Sequence, residues 1–251
     1  MRSNPTPPLT PSFPAFGTKN RNRRPCLRHL ASITIRGGEF RPVFLPNLPM
    51  FASANKKGNP FSSMILTIAG SPGTGKTSVG KILADKLGYR FYSMGGLRGN
   101  MALEKGLTLD ELNALGEQEG STDIPVDEYQ KELGQKEDNF VIEGRLSWHF
   151  IPHSFKILLT CDPAEAARRI YLARKHEADT REDEPLYASP EEAEKVLRLR
   201  VESDKRRYQK YYGIDYQDQA HYDLVIDTTD SSEPEETAER ILAELRKRRQ
   251  G

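Results

Sequence analysis

From residue 64 onward the hydrophobic positions organise the chain. Met64-Ile65-Leu66-Thr67-Ile68-Ala69 is an apolar, β-branched run closed by glycine, the pattern of a buried strand. Between residues 76 and 87, Val79, Ile82, Leu83 and Leu87 share one helical face, and Gly88 stands where such a helix would end. Residues 89–93 predict a second strand. Helices follow near 98–105, 108–116 and 124–134, the second opening on Thr108 and Glu111 at capping-box spacing. Phe140-Val141-Ile142 reads as a third strand and Lys156-Ile157-Leu158-Leu159-Thr160 as a fourth. Asp162, Pro163 and Glu165 then supply an N-cap, a first-position proline and a first-turn acid. Residues 176–188 have no period and read as a loop. Ser189-Pro190-Glu191-Glu192 starts a long helix to about Tyr212, Leu224-Val225-Ile226 is a fifth strand, and residues 234–249 form a closing helix. Strands alternating with helices imply parallel pairing in an α/β layered fold.

Residues 1–63 follow different rules. They hold ten of the 17 prolines and ten Lys/Arg against a single acid, Glu39, whereas residues 64–251 carry 27 basic and 35 acidic residues. No period of 3.6 or 2 is evident there, and the prolines would interrupt a helix. A basic arm for nucleic acid or anionic membrane, an organelle-targeting segment, and a stretch upstream of a true start at Met64 are the three readings. The last is preferred, so 1–63 is expected to be a disordered extension or mis-assigned start, and 64–251 the working domain. No stretch approaches the roughly 20 apolar residues of a membrane span. Cys26 and Cys161 are too few for a disulfide framework or metal cluster, which points to a reducing, cytoplasmic setting.

The chemistry sits between the first strand and the first helix. Gly70-Ser71-Pro72-Gly73-Thr74-Gly75-Lys76-Thr77 satisfies G-x-x-x-x-G-K-[ST] in full. The glycines let successive backbone N–H groups turn inward onto phosphate oxygens, and the following helix adds its positive end. Lys76 supplies a cation for the β- and γ-phosphates, and the Thr77 hydroxyl a ligand for Mg²⁺. A GTPase switch would also want Asn-Lys-x-Asp, which is absent. A motor ATPase would want an apolar strand ending in Asp-Glu, whereas Asp127-Glu128 falls in a predicted helix and the third strand runs into Glu143-Gly144-Arg145.

Four segments together are more specific than the cradle alone: the first strand with its glycine loop, Glu143-Gly144-Arg145-Leu146, Ser203-Asp204-Lys205-Arg206-Arg207-Tyr208 with Tyr211-Tyr212-Gly213-Ile214-Asp215, and Tyr222-Asp223-Leu224-Val225-Ile226-Asp227-Thr228. On these, the chain from Met64 resembles the cytidylate kinase family in its compact archaeal-type branch. The resemblance implies a P-loop NTPase three-layer α/β fold, with a five-stranded parallel sheet, helices on both faces, and monophosphate-binding and lid segments. It also implies transfer of the γ-phosphoryl of ATP, with Mg²⁺, to CMP or dCMP.

The residues carry expectations of their own. Glu143, at the carboxyl end of a strand, could hold Mg²⁺ through water or orient Lys76; its bland alternative is a solvated carboxylate. Arg145 can offer a fork to phosphate, or form a surface ion pair. On the long helix Ala193, Leu197, Arg200, Asp204, Arg207 and Tyr211 share one face, apolar first and then charged. The resemblance gives Arg200 and Arg207 the acceptor and donor phosphates and sets Asp204 near the acceptor nucleoside. Otherwise this is a solvated helix, as Arg198, Lys205 and Arg206 are expected to be. In the lid reading of 176–188, one of Arg168, Arg169 and Arg181 would offset charge on the transferred phosphoryl; Arg169 is chosen. Ser93-Met94-Gly95-Gly96-Leu97-Arg98 departs from the family pattern near Gly96. Ser93 and Arg98 remain candidate contacts, Arg98 for the acceptor phosphate. A monomer acting on small substrates is expected, without nucleic-acid or membrane partners. The rivals are another small P-loop kinase and a non-catalytic ATP-binding regulator.

Overall fold

A computed structural model describes residues 33–36, 39–42, 63–119, 122–175 and 185–250. The chain divides into two compact units between Pro46 and Asn47. In the first, strands β1 (Ile33–Arg36) and β2 (Glu39–Pro42) pair antiparallel, Ile33 opposite Pro42 and Arg36 opposite Glu39. The sequence predicts no strand here. Ile33-Thr34-Ile35-Arg36 does alternate, but over only four residues.

The second unit carries the α/β pattern. Strands β3 (Ile65–Gly70), β4 (Arg90–Ser93), β5 (Phe140–Glu143), β6 (Phe155–Thr160) and β7 (Leu224–Asp227) form one parallel sheet in the order β4-β5-β3-β6-β7. Successive residues of β3 and β6 face opposite sides, as strand geometry requires. Leu66, Ile68, Ile157 and Leu159 pack with Val79, Leu83 and Leu87 of α1 (Lys76–Leu87) and Ile241, Leu242 and Leu245 of α8 (Pro234–Gln250). Ala69 and Leu158 turn to the other face, against Trp148 of the one-turn helix α5 (Ser147–Phe150). Over β4 and β5, Tyr92 meets Phe140 edge-on at 5.5 Å and Tyr129 of α4 (Ile124–Lys136) at 6.5 Å. The sheet is therefore covered on both sides.

The helix ends obey the signals in the sequence. Gly88, at φ 67°, donates its N–H to the carbonyls of Ala84 and Asp85 and so closes α1. Thr108 and Glu111 exchange hydrogen bonds at the start of α3 (Leu109–Glu119). Asp162 Oδ1 accepts from the N–H groups of Ala164 and Glu165 at the start of α6 (Pro163–Lys175). Ser189 caps α7 (Pro190–Tyr212), which ends at Gly213. Helices α6 and α7 lean on each other through Ala167, Ile170, Ala193 and Leu197. One boundary differs: α2 runs Met94–Glu104, four residues earlier than expected, because the Ser93 hydroxyl accepts from Gly96 N–H and caps it despite the two glycines. Among the described residues no helix is long and apolar enough to cross a membrane.

Candidate active site

The phosphate loop leaves the central strand at Gly70 and enters α1 at Lys76. Backbone geometry explains two of its glycines. Gly70 (φ 147°) would set a Cβ 2.3 Å from the Leu159 carbonyl oxygen, and Gly73 (φ 82°) one 2.5 Å from that of Ala166. No other residue lets the loop lie this close to β6 and α6. Within the loop, Lys76 Nζ donates to the Ser71 carbonyl at 2.6 Å, and the Thr74 hydroxyl donates to the same oxygen at 3.0 Å. Gln217, just beyond α7, donates to Ser71 Oγ at 3.0 Å, a support the sequence did not reveal.

Strand register brings the metal candidates together. Glu143 lies opposite Ile68 on one side and Ser93 on the other, at the carboxyl end of the sheet. Its Oε1 accepts from Thr77 Oγ1 at 2.8 Å and from Ser93 Oγ at 2.5 Å. A hydroxyl and a carboxylate, both hard oxygen donors, thus adjoin the phosphate loop. That donor set fits Mg²⁺, an ion that takes one or two protein ligands and completes its shell with water and phosphate oxygens.

A cleft of about 1280 Å³ runs from this loop. The volume exceeds that of a single small-ligand pocket, typically ~300–1,000 Å³, and has room for two ligands end to end. At one end the loop after β7, Thr228 to Pro234, forms the wall; at the other stand Arg98, Arg145, Arg200 and Arg207. Arg207, with its side chain 1% exposed, donates to both carboxylate oxygens of Asp123 at 3.0 Å and to Asp204 Oδ1. Arg98 shares Asp123, its Nη1 lying 2.7 Å from Oδ1, and also reaches Asn113 and Thr122. Burial works against the charge of Arg98, and Asp123 offsets part of that effect. Arg200 donates through Nε to Asp110 at 3.0 Å. Gly116 of α3 admits the pair: a Cβ there would sit 3.3 Å from a terminal nitrogen of both Arg98 and Arg207.

Most sequence candidates, Arg169 among them, line this cleft, whereas Asp204 does not. Asp204, expected beside the acceptor nucleoside, is 1% exposed and lies behind the wall. It ties Arg207 to Arg145, whose Nε is 2.8 Å from Asp204 Oδ2, close enough for an ion pair but off-axis for a hydrogen bond. Arg169, expected to meet the transferred phosphoryl, lines the cleft with its guanidinium seated on the loop after β7. Its Nη2 donates to the carbonyls of Thr228 (2.7 Å), Thr229 (3.0 Å) and Ser231 (3.1 Å), while Nε holds Glu165. Arg168 pairs with Glu165 on the surface, and Arg181 falls outside the described residues. Arg198 and Arg206 make exposed ion pairs with Glu194 and Glu117, as their bland reading held. Asp110, Asn113, Gly116, Asp123, Asp127 and Gln130 were missed: in a sequence they are ordinary polar positions, and one glycine, in or beside surface helices.

Known proteins resemble this chain in sequence and in fold. A cytidylate kinase of Archaeoglobus fulgidus is 38% identical over 166 residues, 66% of this chain and 86% of that protein. One of Methanocella arvoryzae is 39% identical over 166 residues, covering 66% and 88%. An uncharacterised protein of Eubacterium ventriosum shares the fold at a TM-score of 0.52 and 16% identity, over 72% of this chain and 96% of its own. The cytidylate kinase-like family profile matches residues 65–230, and the chain belongs to that family.

Proposed function

We propose that residues 64–251 transfer the γ-phosphoryl group of Mg-ATP to a nucleoside monophosphate, CMP or dCMP. The observation that carries this reading is the single cleft joining a complete phosphate loop to a wall of arginines. One end suits a triphosphate tail and the other a second anion, so donor and acceptor can meet between them.

Each residue then has a task. Backbone amides of the loop and the α1 N-terminus cradle the donor phosphates, and Lys76 moves from the Ser71 carbonyl onto them. Thr77 and Glu143 would hold Mg²⁺, which offsets phosphate charge when bound. Arg98, Arg145 and Arg207 orient the acceptor phosphate, while Asp123 and Asp204 hold those guanidiniums in one arrangement before substrate arrives. Catalysis is then positioning plus charge neutralisation, with no covalent enzyme intermediate. A monomer in a cytoplasmic setting fits this reading. A coupled assay of Mg-ATP against CMP, dCMP, UMP, AMP and shikimate tests it. Turnover of CMP and dCMP is expected; turnover of shikimate alone, or none at all, would overturn it.

A further inference from the structure

Helix α4 and the residue that precedes it put Asp123, Val126, Asp127 and Gln130 at the acceptor end of the cleft. Spacings of three, one and three put them on one face. Asp123 is taken up by Arg98 and Arg207, whereas Asp127 and Gln130 hold no arginine. They are 9% and 3% exposed, so each needs a hydrogen-bonding reason to be there.

Their neighbours fix their polarity. Tyr212 Oη donates to Asp127 Oδ2, leaving Oδ1 as the remaining acceptor. Ser147 Oγ donates to Gln130 Oε1 at 2.6 Å, leaving the amide NH₂ as the remaining donor. A carboxylate acceptor and an amide donor thus line the cleft one helical turn apart. A phosphate, itself an acceptor, would find no donor at the free oxygen of Asp127. A heterocycle edge can bring its own donor, and Met94, Leu97 and Val126 give its ring apolar walls.

We propose that Asp127 and Gln130 read the acceptor base, Asp127 accepting from an exocyclic amino group and Gln130 donating to the neighbouring ring acceptor, so that an aminopyrimidine is preferred to an oxopyrimidine. This rests on the kinase reading above and names what selects its substrate. Cytosine offers the N4 amino group, whereas uracil turns the O4 lone pairs toward the carboxylate. Tyr212 and Ser147 are positioning residues that set which atom faces the base.

The test compares kcat/KM for CMP and UMP in the full-length protein, in Asp127→Asn and in Gln130→Met, with thermal unfolding and Mg-ATP binding as fold controls. The unmodified protein should prefer CMP by about ten- to a hundredfold, the worth of one good paired contact. Asp127→Asn keeps the shape and the Tyr212 bond but offers an NH₂ group. It should erase most of that preference by lowering CMP and sparing or raising UMP, with Mg-ATP binding unchanged. Gln130→Met should lower CMP turnover more than UMP, which keeps the question open to test if Asp127→Asn fails to fold. AMP carries the same donor–acceptor order, so any AMP turnover should fall with that of CMP. Equal losses for CMP and UMP in both variants, or no preference in the unmodified protein, would overturn the base assignment. Absence of turnover with every monophosphate would instead remove the kinase reading itself.

Discussion

Thr77 donates its hydroxyl to Glu143 Oε1 at 2.8 Å, tying the last residue of the phosphate loop to the end of the neighbouring strand. The contact exists because β5 pairs directly with β3, so that Glu143 emerges beside the start of α1. Removing the carboxylate charge while keeping its shape separates metal binding from fold. Glu143→Gln should raise the Mg²⁺ concentration needed for half-maximal rate about 10–100-fold. Lys76→Ala should abolish turnover at any Mg²⁺ concentration with the circular dichroism spectrum unchanged. A Glu143→Gln enzyme with an unaltered Mg²⁺ requirement would exclude Glu143 from the metal site.

Arg169 holds the loop after β7 by three of its carbonyls, and the Thr228 hydroxyl in that loop reaches the carbonyls of Thr160 at 2.9 Å and Thr74 at 3.3 Å. The guanidinium therefore shapes the donor end of the cleft and links it to the phosphate loop. Lysine cannot reproduce a planar fork. Arg169→Lys should raise KM for ATP about tenfold, a loss on the order of 1.4 kcal/mol, and leave KM for the acceptor alone. A fall in kcat with KM for ATP unchanged would return Arg169 to the transferred phosphoryl.

Asp204 carries stability as well as alignment. Asp204→Asn leaves Arg207 buried with only Asp123, and Arg145 without its carboxylate. Breaking one side of a buried pair costs about 3–5 kcal/mol, and the surviving Asp123 contact puts this case near the lower bound. Urea unfolding of the purified variant gives the value.

Burial pushes the Asp127 carboxyl from 3.8 up to about 7, against the Tyr212 hydrogen bond, which lowers it, while the Asp123 charge raises it further. Lys131 and Arg98 oppose the rise. The folded protein thus keeps a proton that the unfolded chain gives up near pH 4. The Asp127 contribution to stability is full below about pH 4 and falls as pH rises through 7. Asp127→Asn cannot ionise, so its melting temperature relative to the unmodified protein should climb between pH 5 and pH 8. A difference that stays flat across that range would contradict the burial argument.

How legible all this was in the chain depends on how local each signal is. The phosphate loop, the five strands and the caps at Thr108, Asp162 and Ser189 are written in neighbouring residues, so they could be placed without a structure. Helix α5, only Ser147–Phe150, is too short to show a period, yet its Trp148 covers one face of the sheet. The roles of Asp123, Asp127 and Gln130 depend on α4 packing beside α2 and α7, a tertiary fact that turns a polar helix face inward. The same cause sends Asp204 behind the arginines and Arg169 to backbone carbonyls. In each case a deciding partner lay far away along the chain: Arg207 for Asp123, Tyr212 for Asp127, Ser147 for Gln130, Arg145 for Asp204 and the Thr228 carbonyl for Arg169.

One cleft is expected to hold the donor tail and a second anion at once. Adenosine and cytidine joined by a five-phosphate bridge would occupy both ends in one molecule. Titration calorimetry with Mg²⁺ should find this compound binding at least about 100-fold more tightly than ATP or CMP alone, as expected when a second site is filled intramolecularly. Affinity no better than that of ATP would show that the two ends of the cleft are not filled together.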